Sequence, residues 1–164
     1  MKLRPMAIIV ALMSVSVWSS TGYAFSNQTL VGTYACSGRG IEVLTPTAGS
    51  PVQSDYTYVA IAKYDGGGHE SGKLTITFNE NSSPPTGFSC TYTQTGTYTV
   101  NPDGTGSSTV QGTTVSGPCG NTTEVESFVL DDAIGTSATF IPTSDTTTGG
   151  VIDSNVALDT CERQ

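Results

Sequence analysis

Basic residues are scarce in this chain. Six lysines and arginines stand against 14 acids, for a formal charge of −8 and a pI near 4.2. So few cations cannot neutralise a phosphate backbone, which excludes nucleic acid as a partner, and anionic membrane surfaces are disfavoured for the same reason. Histidine is scarcer still. His69 is the only imidazole, no C-x-x-C occurs, and the chain has no Gly-x-Ser-x-Gly elbow. A zinc centre and a hydrolytic triad both lack their usual ligands or base, and no cofactor or metal is expected. Helical periodicity is also missing beyond the first two dozen residues.

What the amino-terminal stretch does contain is a secretory leader. Lys2 and Arg4 precede an apolar run from Met6 to Val17, and Gly22-Tyr23-Ala24 supplies small residues at the right spacing for a signal peptidase. The run falls short of the roughly 20 residues of a spanning helix. Residues 1–24 are therefore expected to leave as a signal peptide cut between Ala24 and Phe25. Residues 25–164 remain as one domain without a membrane span, periplasmic or secreted. Removing the leader leaves Arg39, Lys63, Lys73 and Arg163 against 14 acids, a formal charge of −10, which suits solubility.

Four cysteines, an even set in an exported chain, point to a disulfide framework. Of three pairings, Cys90 with Cys119 is preferred because a turn at Asn101-Pro102-Asp103-Gly104 joins the segments that carry them. Cys36 then pairs with Cys161, tying the first strand to the carboxyl end as closure of a sheet would require.

Short runs of Thr, Val, Tyr, Ile and Phe between clusters of Gly, Pro, Asn, Asp and Ser make an all-β pattern. Strands are expected at 31–36, 40–44, 56–64, 73–79, 88–100, 106–115, 124–130, 137–141 and 151–158. Alternation assigns faces. Leu74, Ile76 and Phe78 share one face, and Thr91, Thr93, Thr95, Thr97 and Thr99 form a polar ladder opposite Cys90, Tyr92, Gln94, Tyr98 and Val100. Tyr56, Tyr58 and Tyr64 share a face with Ala60 and Ala62, whereas Val59 and Ile61 lie on the other, so this strand calls for cover on both sides. Tyr56, Tyr58, Tyr64, Tyr92 and Tyr98 are the residues expected inside, either filling a small core or lining a ligand cavity.

Chemistry-bearing constellations are few. His69 beside Glu70 reads as a surface pair in a Gly-rich turn. Glu124 and Glu126 lie on one strand face, and Glu70 and Asp131 would meet if neighbouring strands aligned them; paired carboxylates of this kind can serve a glycosidase. Acids at strand ends are more often solvated or guard an edge. Asn101-Pro102-Asp103-Gly104-Thr105-Gly106 opens like a calcium loop, but Gly112 stands where the closing Glu belongs, so it reads as a hairpin turn. The sequons at Asn27, Asn81 and Asn121 would matter only in a eukaryotic secretory pathway.

Gly32-Thr33-Tyr34 opening the first strand, Tyr64-Asp65-Gly66-Gly67-Gly68 ending another in a wide turn, and the segment from Gly96 through Gly106 together resemble exported bacterial proteins of uncharacterised role. These carry a lipocalin-like or allene-oxide-cyclase-like β-barrel. The likeness spans roughly Leu30 to Ile141 and implies a closed or nearly closed antiparallel barrel of about eight strands, with a β-sandwich as the alternative; it supplies no catalytic residue. A second likeness, to chaperone–usher pilus subunits, rests on the Thr-rich composition, the disulfide and Gly150. The expectation is a non-enzymatic barrel that binds a small apolar ligand or a protein partner. A barrel isomerase like allene oxide cyclase and a pilus-like structural subunit are the alternatives.

Overall fold

A computed structural model describes residues 24–45, 52–80, 86–147 and 150–164. Eight antiparallel strands follow one another around a closed barrel: β1 (Val31–Thr45), β2 (Val52–Asp65), β3 (His69–Glu80), β4 (Thr86–Val100), β5 (Thr105–Ser116), β6 (Thr122–Leu130), β7 (Ser137–Thr147) and β8 (Gly150–Arg163). Every connection joins neighbours, and β8 returns to pair with β1, Cys36 opposite Cys161. The barrel is the architecture; the sandwich is not. Among the described residues no helix is long and apolar enough to cross a membrane. The leader through Tyr23, the sequon at Asn81 and parts of three expected turns, at 46–51, 81–85 and 148–149, lie outside the described residues.

Two expected strands, 31–36 and 40–44, are one. Ser37-Gly38-Arg39 has the composition of a break, yet it runs straight on within β1, with Gly38 opposite Tyr58 on one side and Asp159 on the other. Glycine is needed there for space. A Cβ at Gly38 would overlap the Asp159 carboxylate and the Tyr58 ring, which lie across the strand from inside the barrel. His69 is likewise not in the turn but opens β3, exposed, its backbone N–H donating to Asp65 Oδ1 at 2.9 Å. β7 and β8 are longer than expected because pairing carries both past their last apolar residues, with register shifts between Val125 and Glu126 and between Phe140 and Asp145.

The alternation holds. Thr93, Thr95, Thr97 and Thr99 face outward and exposed, while Cys90, Tyr92, Tyr98 and Val100 are buried. Val59 and Ile61 lie on the outer wall and stay 64% and 49% exposed, so the outer cover expected for β2 is not supplied by this chain's described residues. Two disulfides, Cys36–Cys161 and Cys90–Cys119, pair as expected.

One end of the barrel is shut. Leu30, Tyr34, Tyr64, Tyr98, Val100, Phe128, Leu130, Ala138 and Phe140 form a continuous core there, with Tyr34 and Tyr98 edge-on to Tyr64 at centroid distances of 5.3 and 5.2 Å. Such edge-to-face pairs set the negative face of one ring against the positive edge of another. Residues 25–30 cross the mouth. Phe25 N–H donates to Pro102 O, Val100 N–H to Asn27 Oδ1, and Gln28 Nε2 to Gly66 O. The Tyr98 hydroxyl bonds this segment to the barrel floor, donating to Leu30 O at 2.7 Å and accepting from Gly66 N–H at 2.9 Å. Gly106 lets the Phe128 ring lie flat across β5, where a Cβ would collide with it.

Candidate functional site

Beyond that plug the interior changes character. Glu124 and Glu126 share the inward face of β6 with Phe128 and Leu130, and register places Glu124 opposite Asp145 on β7. Asp159 shares the inward face of β8 with Cys161, and Glu42 the inward face of β1 with Cys36. Glu70 joins them from β3, beside Tyr64 in register and packed over Gly96. Six carboxyl groups from five strands thus face one lumen. Arg39, Lys63 and Lys73 are all on the exposed outer surface, so no base from the barrel wall answers them.

The opposite wall is aromatic. β3 and β7 are four strands apart in a ring of eight and so face each other across the barrel. On β2 to β4, Tyr56, Phe78, Phe88 and Tyr92 point inward with Leu74 and Ile76, Phe88 stacked on Phe78 at 4.9 Å and Tyr56 6.0 Å from Phe78. Phenols bridge the two walls. The Tyr58 hydroxyl lies beside Asp159, and Tyr92 is close enough to feel both Asp145 and Glu42. Although they point inward, Tyr58, Glu70, Leu74, Ile76, Gln94, Glu124, Glu126 and Asp145 are only half-buried, so solvent-sized space remains between the walls.

This setting holds protons on the acids. Loss of water around each carboxyl penalises its charged form, and neighbouring carboxylates add to the penalty. Burial, and then Asp145, raises Glu42 to about 7. Burial and Glu126 raise Glu70 to about 8, against a partial lowering by the Tyr64 hydroxyl. Asp145 rises to about 6 and Asp159 to about 7, burial leading in both. Glu124 is pushed well above the usual carboxyl range by burial, then by Glu126, Asp145, Asp159 and Glu42. Glu126 rises too, its burial offset in part by the Ser108 hydroxyl, which donates to Oε2 at 2.6 Å. Tyr92 is pushed up to about 12 and Tyr58 further, again chiefly by burial.

Four lumen groups have hydrogen-bonding capacity left over: Glu70 Oε1 and Asp145 Oδ1 have no partner, and two more belong to nearly inaccessible residues. Asp159 is 2% exposed, and its Oδ1 has no hydrogen-bond partner; Ser54, 1% exposed and opposite Glu42 on β2, has an unpartnered Oγ. Buried polar atoms are nearly always satisfied, so unsatisfied ones mark a place where something else bonds.

The residues singled out from sequence divide between the two halves. Tyr64 and Tyr98 belong to the plug, while Tyr56, Tyr58 and Tyr92 stand on the lumen wall. Glu124 and Glu126 do share a face, and that face is the interior. Glu70 and Asp131 are not brought together: Asp131 is exposed in the β6–β7 connection, near Thr139 Oγ1 at 3.3 Å, whereas Glu70 lies inside. The Asn101–Gly104 segment is the hairpin turn expected, Gly104 N–H donating to Asn101 O at 3.0 Å. Glu42, Asp145 and Asp159 were not anticipated, although Glu42 and Asp159 have the same parity as the bridged, inward Cys36 and Cys161. No family model matches this chain, and neither a curated protein nor a solved structure matches it. Fold and site define a closed eight-stranded antiparallel barrel, plugged at one end, with a carboxyl wall facing an aromatic wall.

Proposed function

We propose that this protein is an exported, non-enzymatic barrel that binds a small molecule in the unplugged part of its lumen. The observation that carries the reading is the contrast inside one barrel: a finished core at one end, and at the other half-buried inward side chains with unpartnered buried oxygens on Asp159 and Ser54. A ligand would restore hydrogen bonds that the folded chain leaves unmade. Export is supported by the leader-like first 24 residues and by two disulfides, which persist in oxidising compartments. The lipocalin-like or allene-oxide-cyclase-like likeness agrees with the closed barrel.

Native mass spectrometry of the mature protein from its own exported fraction tests this. A small molecule released on denaturation, alongside a chain four hydrogens lighter than its reduced form, is the expected result. A bare chain from every preparation, together with no response to any added small molecule, would overturn it.

A second reading draws on the raised carboxyls. Protonated at neutral pH and facing enclosed space, Glu70 or Asp159 has what a general acid in an isomerase needs. A pilus-like subunit would need an open edge for strand exchange, and each described strand is paired on both sides.

A further inference from the structure

The geometry points to an amphipathic organic cation as the ligand: an ammonium or guanidinium head set on the carboxyl wall of β6, β7, β8 and β1, and a short apolar or aromatic body lying against the rings of β2 to β4. This rests on the reading of the lumen as a ligand site. Three features of the lumen lead to it, and they are independent.

The first is the sign of the wall. Each strand's contribution to the lumen is acidic, phenolic, hydroxylic, apolar or, at Gln94, a neutral amide: Glu42 from β1, Tyr56 and Tyr58 from β2, Glu70 from β3, Tyr92 and Gln94 from β4, Ser108 from β5, Glu124 and Glu126 from β6, Asp145 from β7, Asp159 from β8. Among the described residues no cation stands with them, and Arg163 lies at the plugged end with its guanidinium over Gly32. As these acids ionise an anion is repelled from the space, and a cation supplies the counter-charge the fold omits. The second is spacing. Among the described residues no three acidic, cysteine or histidine side chains form a set that could hold one metal ion. The acids are instead spread along the lumen, Glu124 and Glu126 about 7 Å apart along one strand, as suits several N–H donors on an extended molecule. The third is the unsatisfied acceptor. Asp159 Oδ1 is buried, unpartnered and lodged against Gly38 beside the Tyr58 ring, so an N–H donor there would gain a charge-assisted hydrogen bond next to an aromatic face.

Binding of such a cation also favours the ionised carboxyls, so it should expel protons. Affinity rises with pH across the interval in which the acids titrate, about 6 to 8, until the amine itself deprotonates near pH 10.

Isothermal titration of the oxidised protein at pH 7.5 tests this with matched probes: phenethylamine against phenethyl alcohol and 3-phenylpropionate, and hexylamine against 1-hexanol. The amines are expected to bind with proton release, read from buffers of different ionisation enthalpy. The alcohols should bind about tenfold or more weakly than the amines, because the charge-assisted bond is lost, and the carboxylate not at all. Asp159→Asn and Glu124→Gln should each weaken the amines by about tenfold while leaving the circular dichroism spectrum and alcohol binding unchanged. Should the alcohols bind as well as the amines, or both variants leave amine binding intact, the cation assignment falls and the binding barrel stands. If none of the five probes binds at any pH between 6 and 9, the cation assignment falls, and the mass-spectrometric result alone decides whether the lumen binds a ligand of another kind.

Discussion

The two halves of the barrel are built from the same strands and differ in what each strand points inward. β6 shows it within seven residues: Glu124 and Glu126 enter the lumen, and Phe128 and Leu130, one and two steps further along the same face, enter the plug. The plug half is finished by its own side chains, ring against ring and carbonyl against hydroxyl. The lumen half is left with protonated acids and unsatisfied oxygens. The difference teaches that this fold concentrates its packing at one end and leaves the other incompletely satisfied, an arrangement that costs stability as functional sites commonly do.

Truncation should separate the halves most clearly. Phe128→Ala removes a ring packed on Phe140 at 5.0 Å, and a loss of about 3–5 kcal/mol is expected from urea unfolding. Ile76→Ala, on the half-buried lumen wall, should cost less than half as much. Equal losses would mean that the lumen is as tightly packed as the plug.

The response to pH comes next in size. Six acids carry raised values in the folded state, so between their unfolded range near 4 and their folded values the native protein holds protons that the unfolded chain has lost. Stability from this source is complete below about pH 4 and declines as pH rises through 6 to 8. The melting temperature should therefore fall from pH 5 to pH 8, by roughly 10 °C or more on the scale of a few degrees per kcal/mol. Glu124→Gln should raise the melting temperature at pH 8 by more than at pH 5. A melting temperature that climbs toward pH 8 would show that the acids are solvated rather than enclosed.

Much of this was legible in advance, and its limits have a physical cause. The Thr ladder of β4 gave the wet face, and the Asn101–Gly104 turn and both cysteine pairings could be placed from spacing. The lumen was hidden by the assumption that an acid in a strand faces water. In Glu124-Val125-Glu126-Ser127-Phe128-Val129-Leu130 both faces carry apolar residues, so alternation alone leaves the phase open. The cysteines gave a hint on two other strands, because Cys36 and Cys161 are bridged on one face, which the structure shows to be the inner one, and Glu42 and Asp159 share their parity. Asp145 follows a register shift in β7, which breaks the count of two and hides it from any such argument.

The smallest predicted effect concerns the plug's seal. Tyr98→Phe deletes a hydroxyl that serves Leu30 O and Gly66 N–H and should cost about 1–3 kcal/mol, since both buried partners are stranded. Hydrogen exchange of the 25–30 segment should quicken while the lumen strands stay protected. Uniformly faster exchange would merge the two halves into one cooperative unit.

The bridge between Cys36 and Cys161 joins the first strand to the last, 125 residues apart, so covalently the span between them is one closed loop. A protease that cuts once in any hairpin between them releases no fragment: the nicked protein travels as one band until a reductant is added. A barrel closed this way can lose a peptide bond and still stay in one piece.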